Sequence, residues 1–239
     1  MTGSNVEKPF RPALLVVDMQ EDFCPPHGTL PIAGAREIVP LINELLALPF
    51  ALKIATQDFH PPDHISFDIS NSPPNNVAFK SFVDIQNPHK PDQSYKIPVW
   101  PVHCVQGTKG AEILSEIDAS KFHHVVQKGI NSRMEMFSGF ADVFGSKSSV
   151  SASENLTELL RNAGISHVFN VGVAGEHCVR CTALDAKKEG FKVFVVEEAV
   201  RSVDAGENGW DSAKNQFQNA GIDIVHIDGH EVNEVKNLS

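Results

Sequence analysis

No apolar run in the 239-residue sequence is long enough to span a bilayer. Positive charge is also short: 20 Lys and Arg stand against 30 Asp and Glu, a formal net charge of −10. That sign argues against nucleic acid or an anionic membrane as a partner. The opening MTGSNVEKPFRP is polar and holds no signal-peptide core. Without such a signal, the acceptor pattern of Asn155, Leu156 and Thr157 is expected to be idle. Cysteine is scarce, with four in the chain. In a soluble intracellular protein these are expected as catalytic, metal-bound or plainly buried thiols rather than disulfides. The expected location is the cytoplasm, with a nuclear or peroxisomal pool left open.

What is present is enough apolar residue, 41%, for a real core. Strand-like and helical stretches alternate along the whole chain, which predicts one α/β domain over 1–239. Ala13 to Val17 is a continuous apolar run of the kind buried on both faces, and it stops at Asp18. FALKIAT predicts a strand ending just before Asp58, and FHHVVQ one ending before Lys128. HVFNVGV, FKVFVVE and IDIVHID predict three more. Ile38, Leu41, Ile42, Leu45 and Leu46 share one helical stripe, with Pro40 tolerable in the first turn. Helices are also predicted over TKGAEILSEI, with Thr108 as N-cap, over SENLTELLRNAGI, from about Glu176 to Gly190, and over NGWDSAKNQFQNAG. Residues 71–99 are rich in Pro and Asn and carry little period, so they read as an ordered insertion covering a site. The order predicts an open, mostly parallel six-stranded sheet with helices on both faces, doubly wound.

In such sheets, sites form outside the carboxyl ends of the strands. Asp18, Asp58, Lys128 and the stretch Ala174 to Cys178 all fall there. Cys178 sits near the first turn of a helix entered from a strand, where the dipole favours thiolate. Lys128 nearby would lower its pKa further, and Asp18 could carry its proton. The other reading is a small buried residue in a βα turn, a common fate of Cys. Cys181, one turn on, points into the helix packing and reads as structural. A redox role for the Cys178–Cys181 pair fits less well, because the pair lies late in a long chain. A Cys₄ zinc site does not fit, since Cys24 and Cys104 form no second pair.

Asp58 and His60, two apart at a strand end, could point at one ion, and His64 could join them from the next turn. His103 lies in VWPVHCV, held by Trp100 and Pro101. One carboxylate with two or three imidazoles suits Zn²⁺, Fe²⁺ or Mn²⁺. The alternative is that His60 and His64 are ordinary loop residues. His27, His89, His123, His124 and His230 have no such company.

Five segments in this order, LLVVDMQEDF, TQDFHPPDHISF, WPVHCVQGTKGAE, KG after the third strand and GVAGEHCVRCTALDA, resemble the nicotinamidases of the isochorismatase-like cysteine hydrolase superfamily. The resemblance covers most of the chain, and the 71–99 insertion is longer than in compact members. It implies a triad of Asp18, Lys128 and Cys178. It implies metal ligands Asp58, His60 and His103 for one divalent ion, Zn²⁺ foremost, with His64 a ligand only in some relatives. It implies a cis peptide between Val173 and Ala174, and an oxyanion hole of the Ala174 and Cys178 amides. Phe23 and Trp100 match the aromatic walls of the pocket, and His177 stands where Tyr is frequent. The implied reaction converts nicotinamide to nicotinate and ammonia, with pyrazinamide-like analogues as further substrates and a homo-oligomer as the assembly. The rivals are an amidase acting on a carbamoyl or ureido substrate, and a non-catalytic, metal-stabilised binding protein.

Overall fold

The structure, a computed structural model, describes residues 9–147 and 151–238, so the polar opening of the chain falls largely outside the described residues. At the centre of the sheet is β1 (Pro12–Val17), with all six residues buried. Successive side chains of a strand point to opposite faces. Leu14 and Val16 therefore join the core under α1 (Val39–Ala47) and α5 (His230–Lys236). Ala13, Leu15 and Val17 join the core under α2 (Leu156–Asn162), α3 (Arg180–Lys188) and α4 (Trp210–Ala220). Burial on both sides is why the run is unbroken and apolar. Leu14 and Leu15 are fully buried, and each such side chain contributes ~1.5–3 kcal/mol over leaving it exposed.

Strand β2 (Leu52–Asp58) follows, and then β3 (Phe82–Asn87) and β4 (Lys90–Pro98) form a separate antiparallel hairpin. The chain returns to the main sheet with β5 (His124–Lys128), β6 (His167–Gly172), β7 (Lys192–Val200) and β8 (Asp223–Val225). The order is β5-β2-β1-β6-β7-β8, and every neighbouring pair is parallel. The expected six-stranded, doubly wound α/β sheet is present, and the winding reverses between β1 and β6. That gap between strand ends is where an open sheet offers a crevice.

Three expectations need correction. No helix forms over 108–117; only Lys109–Ala111 makes a short 3₁₀ turn, and Thr108 provides no side-chain cap. A chain of turns instead presses residues 112–114 against the start of the site. The amide of Glu21 donates to Glu112 and that of Leu114 to Met19, and Gln20 bridges Ile113. Gly110 explains the close approach, since a β-carbon there would lie 2.0 Å from Asp22 Oδ2. The second correction is the hairpin, whose β3 alternates exposed and buried residues, with Val83, Ile85 and Asn87 inward. The third is α5, which buries Val232 and Val235 over the α1 face. Asp58 and Lys128 also prove to be the last residues of their strands rather than the first beyond them. Among the described residues, no helix is long and apolar enough to cross a membrane.

Candidate active site

The crevice is built by the ends of four adjacent strands. Asp18 leaves β1 with φ 50°, a left-handed conformation that aspartate tolerates better than most residues. The Asp18 carboxylate is fully buried; its Oδ1 accepts from Thr56 Oγ1 at 2.6 Å. Its Oδ2 lies 2.9 Å from Lys128 Nζ, within ion-pair range, but takes no well-aligned hydrogen bond. Lys128 is itself fully buried at the end of β5. Its ammonium also reaches Asp58 Oδ1 at 2.5 Å, the Met136 carbonyl at 3.2 Å and Cys178 Sγ at 3.5 Å. Cys178 arrives from the other side of the switch point, in a π-helical turn, Gly175–Val179, that leads into α3. Its sulfur and one oxygen each of Asp18 and Asp58 lie within 4.8 Å of one another.

The electrostatics follow from counting these charges. Burial would strip Lys128 of its proton, but Asp18 and Asp58 hold it as an ammonium, well above its ordinary pKa. Burial likewise opposes an ionised Asp58, yet Lys128, and then His60, hold that carboxyl far below its usual range. Asp18 rises instead, because burial and Asp58 together outweigh Lys128. Cys178 departs from the sequence expectation of a depressed thiol. Burial pushes it well above its ordinary value, Lys128 opposes this, and Asp18 and Asp58 add to the rise. One ammonium already faces two carboxylates, so a thiolate would be the third anion. The resting sulfur is a thiol with an acceptor carboxylate beside it.

A second group adjoins the first through Asp58. Asp58, His60 and His103 offer donor atoms within 4.8 Å of one another, all buried. His60 Nδ1 donates to the Gly129 carbonyl at 3.0 Å, and His103 Nδ1 donates to the Pro101 carbonyl at 2.8 Å. Both rings thus turn Nε2 inward, the tautomer a metal ligand needs, with the carbonyl partner that orients such ligands. Gly129 must be glycine: φ is 67°, and a β-carbon would lie 2.4 Å from the His60 ring. Burial, then His60, drops His103 to about 4, so it is neutral and ready to ligate. Burial alone would depress His60 too, but Asp58, 3.7 Å from its Nε2, raises it. The donor set of one carboxylate and two neutral-capable imidazoles fits a divalent ion. His64 is not in the group. It stacks on His60 at 4.1 Å, but Ser66 Oγ and the Met134 carbonyl occupy its two nitrogens. Phe67, fully buried, meets His60, His64 and His103 at 5.4–5.6 Å.

Cys178 of the first group and Asp58, His60 and His103 of the second open into one cavity. Phe23, Trp100, His177, Ala174 and Cys178, all singled out from the sequence, line it. Trp100 meets His177 edge-on at 5.2 Å, and Phe23 meets His103 at 5.5 Å. Burial lowers His177, leaving a neutral imidazole on the wall. The Val173–Ala174 peptide is cis, as the resemblance implies. Sequence reasoning missed Glu135, Phe137 and Val203 on the same walls. Glu135 is a buried carboxyl, raised by burial and facing His60 and Asp58 electrostatically. It also missed Gln20, whose amide clamps the backbone of Asp58 through its N–H at 2.8 Å and its carbonyl at 2.7 Å. Gln20 stood in plain view, two residues after Asp18; Glu135 lies in a loop with no periodic signal.

A doubly wound sheet with a buried acid, amine and thiol at its switch point defines an α/β protein of the enzyme kind, with its chemistry at the strand ends. Residues 12–228 match the model of the Isochorismatase domain, and the chain belongs to that family. A nicotinamidase of Acinetobacter baylyi is 36% identical over 192 residues, covering 80% of this chain and 82% of the relative. The crystal structure of the yeast nicotinamidase bound to the inhibitor nicotinaldehyde superposes with a TM-score of 0.82 at 27% identity, covering 90% of this chain and 99% of that one. The structure of a Pyrococcus horikoshii pyrazinamidase in complex with zinc superposes with a TM-score of 0.68 at 33% identity, covering 90% and 99%.

Proposed function

We propose that the protein hydrolyses nicotinamide to nicotinate and ammonia through a thioester on Cys178, with Zn²⁺ as the bound ion. The observation that carries this reading is that Cys178, backed by the buried Lys128 and Asp18, lines one cavity with Asp58, His60 and His103. The relatives named above support the amide class and the pyridine ring. Asp18, with its misaligned Oδ2, takes the Cys178 proton as the sulfur attacks the amide carbon. The tetrahedral oxyanion is held by the amides of Ala174 and Cys178. The C–N bond breaks, and Asp18 returns its proton to the departing ammonia. A water then attacks the thioester and gives one proton to Asp18. The C–S bond breaks, Asp18 passes that proton to the leaving sulfur to restore the thiol, and the acid leaves as nicotinate with its proton going to solvent. Lys128 stays charged throughout and keeps Asp18 and Asp58 from repelling each other. Phe23, Trp100 and His177 clasp the ring and exclude water. Asp58, His60 and His103 would hold the ion, which would supply a Lewis acid for the pyridine nitrogen and so help orient the ring.

The deciding experiment is ammonia release from nicotinamide by the purified protein, with and without chelator. Release that requires both the pyridine ring and the metal supports the reading. Release only from a ureido or carbamoyl compound moves the chain to the rival amidase class, and no release from either leaves the binding-protein reading.

A narrower expectation concerns the ion. His103→Ala should lose most bound metal and weaken nicotinamide binding as well as rate, because one of three donors is gone. His64→Ala should keep most of its metal, since other partners hold both its nitrogens. Elemental analysis of the folded variants checks both statements. Full occupancy in His103→Ala would remove that residue from the ligand set.

A further inference from the structure

Phe79 is unusual in two ways. It is a large apolar side chain that is 58% exposed. Its backbone φ is 64°, in a region that bulky residues avoid. The other non-glycine residues with positive φ among the described ones are Asp18 and Cys104. Asp18 faces the thiol, and Cys104 follows His103. Sparsely populated backbone persists where its surroundings enforce it, and it gathers at binding and catalytic sites.

The surroundings of Phe79 do enforce it. Its N–H donates to the Val99 carbonyl at 2.8 Å, and the Val99 N–H donates to Ser81 at 3.0 Å. Ser81 closes the turn, donating from its N–H to Val77 at 2.8 Å and accepting from the Val77 N–H at its hydroxyl, 3.1 Å. This clamp fixes the turn against the chain that runs into Trp100. The Phe79 ring then lands edge-on against the Trp100 indole, centroids 5.7 Å apart at 83°. Trp100 in turn meets His177 in the cavity wall. The Trp100 backbone is tied on both sides, donating to Ser66 and accepting from Asp68. Rotation of the indole is the freedom these bonds leave, and the half-exposed Phe79 ring packs against the largely buried indole.

We propose that Phe79 is a positioning residue: it holds the Trp100 ring as a wall of the cavity and so sets affinity for a flat aromatic carboxamide. The inference rests on the nicotinamidase reading and gives the 71–99 insertion a task within it. A wall that touches the ring alike in ground and transition states governs KM more than kcat.

Phe79→Ala should raise KM for nicotinamide about fivefold, the scale of one lost aromatic pair, with kcat nearly unchanged. Phe79→Gly relieves the backbone at that φ but also lacks the ring, so it should match Phe79→Ala. Phe79→Tyr should restore the wild-type KM. Independently of turnover, acrylamide quenching of tryptophan fluorescence should rise in the Ala and Gly variants and return in Tyr. Trp100 and Trp210 are the two tryptophans of the chain. Should Phe79→Ala fail to fold, Phe79→Leu serves, and an unchanged KM and quenching there overturns the proposal. The same result in a folded Phe79→Ala overturns it too, as does a Phe79→Gly protein that behaves as wild type. A wild-type protein inactive on nicotinamide overturns the parent reading instead, whereas an active wild type with an indifferent Phe79→Ala overturns this inference alone.

Discussion

Cys178→Ala should lose turnover by on the order of 10⁴-fold or more while remaining folded and still binding nicotinamide. No other thiol can replace it. Cys24 is buried away from the cavity and its thiol is pushed up to about 12 by burial. Cys104, near His103, is fully buried and also raised well above its ordinary value, by burial first and then by Asp58. Cys181 lies one turn past Cys178 and lines a different depression, beside Arg180, Leu184 and Asp185. Cys181→Ser should therefore keep activity within about an order of magnitude, since it removes no group that touches the substrate. Ammonia release and calorimetric binding on both variants provide the check. An inactive, folded Cys181→Ser would end the single-nucleophile account and return the pair to a redox or shared role.

How much of this was legible in the sequence depends on where each residue's partners lie. The central strand could be read because burial on both faces demands a continuous apolar run, and β1 has one; β6 and β7 are mostly buried and largely apolar. Strand ends could be read for the same reason, and they gave Asp18, Asp58, Lys128 and Cys178 in four separate places. That they share one edge follows from the rule for open sheets and from the family resemblance; the strand order β5-β2-β1-β6, which makes residues 18, 58, 128 and 178 neighbours along that edge, came from the structure. The 108–117 segment misled because Ala111, Leu114 and Ile117 are buried by successive turns pressed onto Met19 and Glu21, and burial of every third residue looks the same in a helix. The hairpin was hidden by composition. β4 is exposed over most of its length and carries Lys, Pro, Asp, Gln and Ser, so half of the pair has no apolar signal. The thiol was expected to ionise early because Lys128 and the helix dipole were set against Asp18 alone, while burial, the largest influence on Cys178, pushes the other way. Asp58 matters here as well: read as a metal ligand, it is also the second carboxylate on Lys128.

That double role of Asp58 makes Lys128→Met the second large effect, with a stability consequence beside the catalytic one. Methionine keeps much of the stem and removes the charge. Asp18 and Asp58 would then face each other, buried, with no cation between them. Breaking a buried pair by removing one partner costs ~3–5 kcal/mol. For a chain of this size that is a fall in Tm of roughly 10 °C or more. The deficit should shrink as pH falls. Two facing carboxylates raise the pKa of one of them in the folded state, and a raised folded pKa stabilises at low pH and is lost as pH rises through it. Thermal melts of the chelator-treated variant from neutral pH down to about 5 should show the gap to wild type narrowing. A constant gap would mean that Lys128 acts by packing rather than by charge. The thiol reports the same field. Iodoacetamide labelling of Cys178, in a Cys181→Ala background without metal, should already have its midpoint above the ordinary thiol value of ~8.5. Lys128 is the group that opposes this rise, so Lys128→Met should move the midpoint higher still, and kcat/KM should fall by at least about 100-fold. A wild-type midpoint below 8 would show that Lys128 outweighs burial and both carboxylates, and would make the resting nucleophile a thiolate.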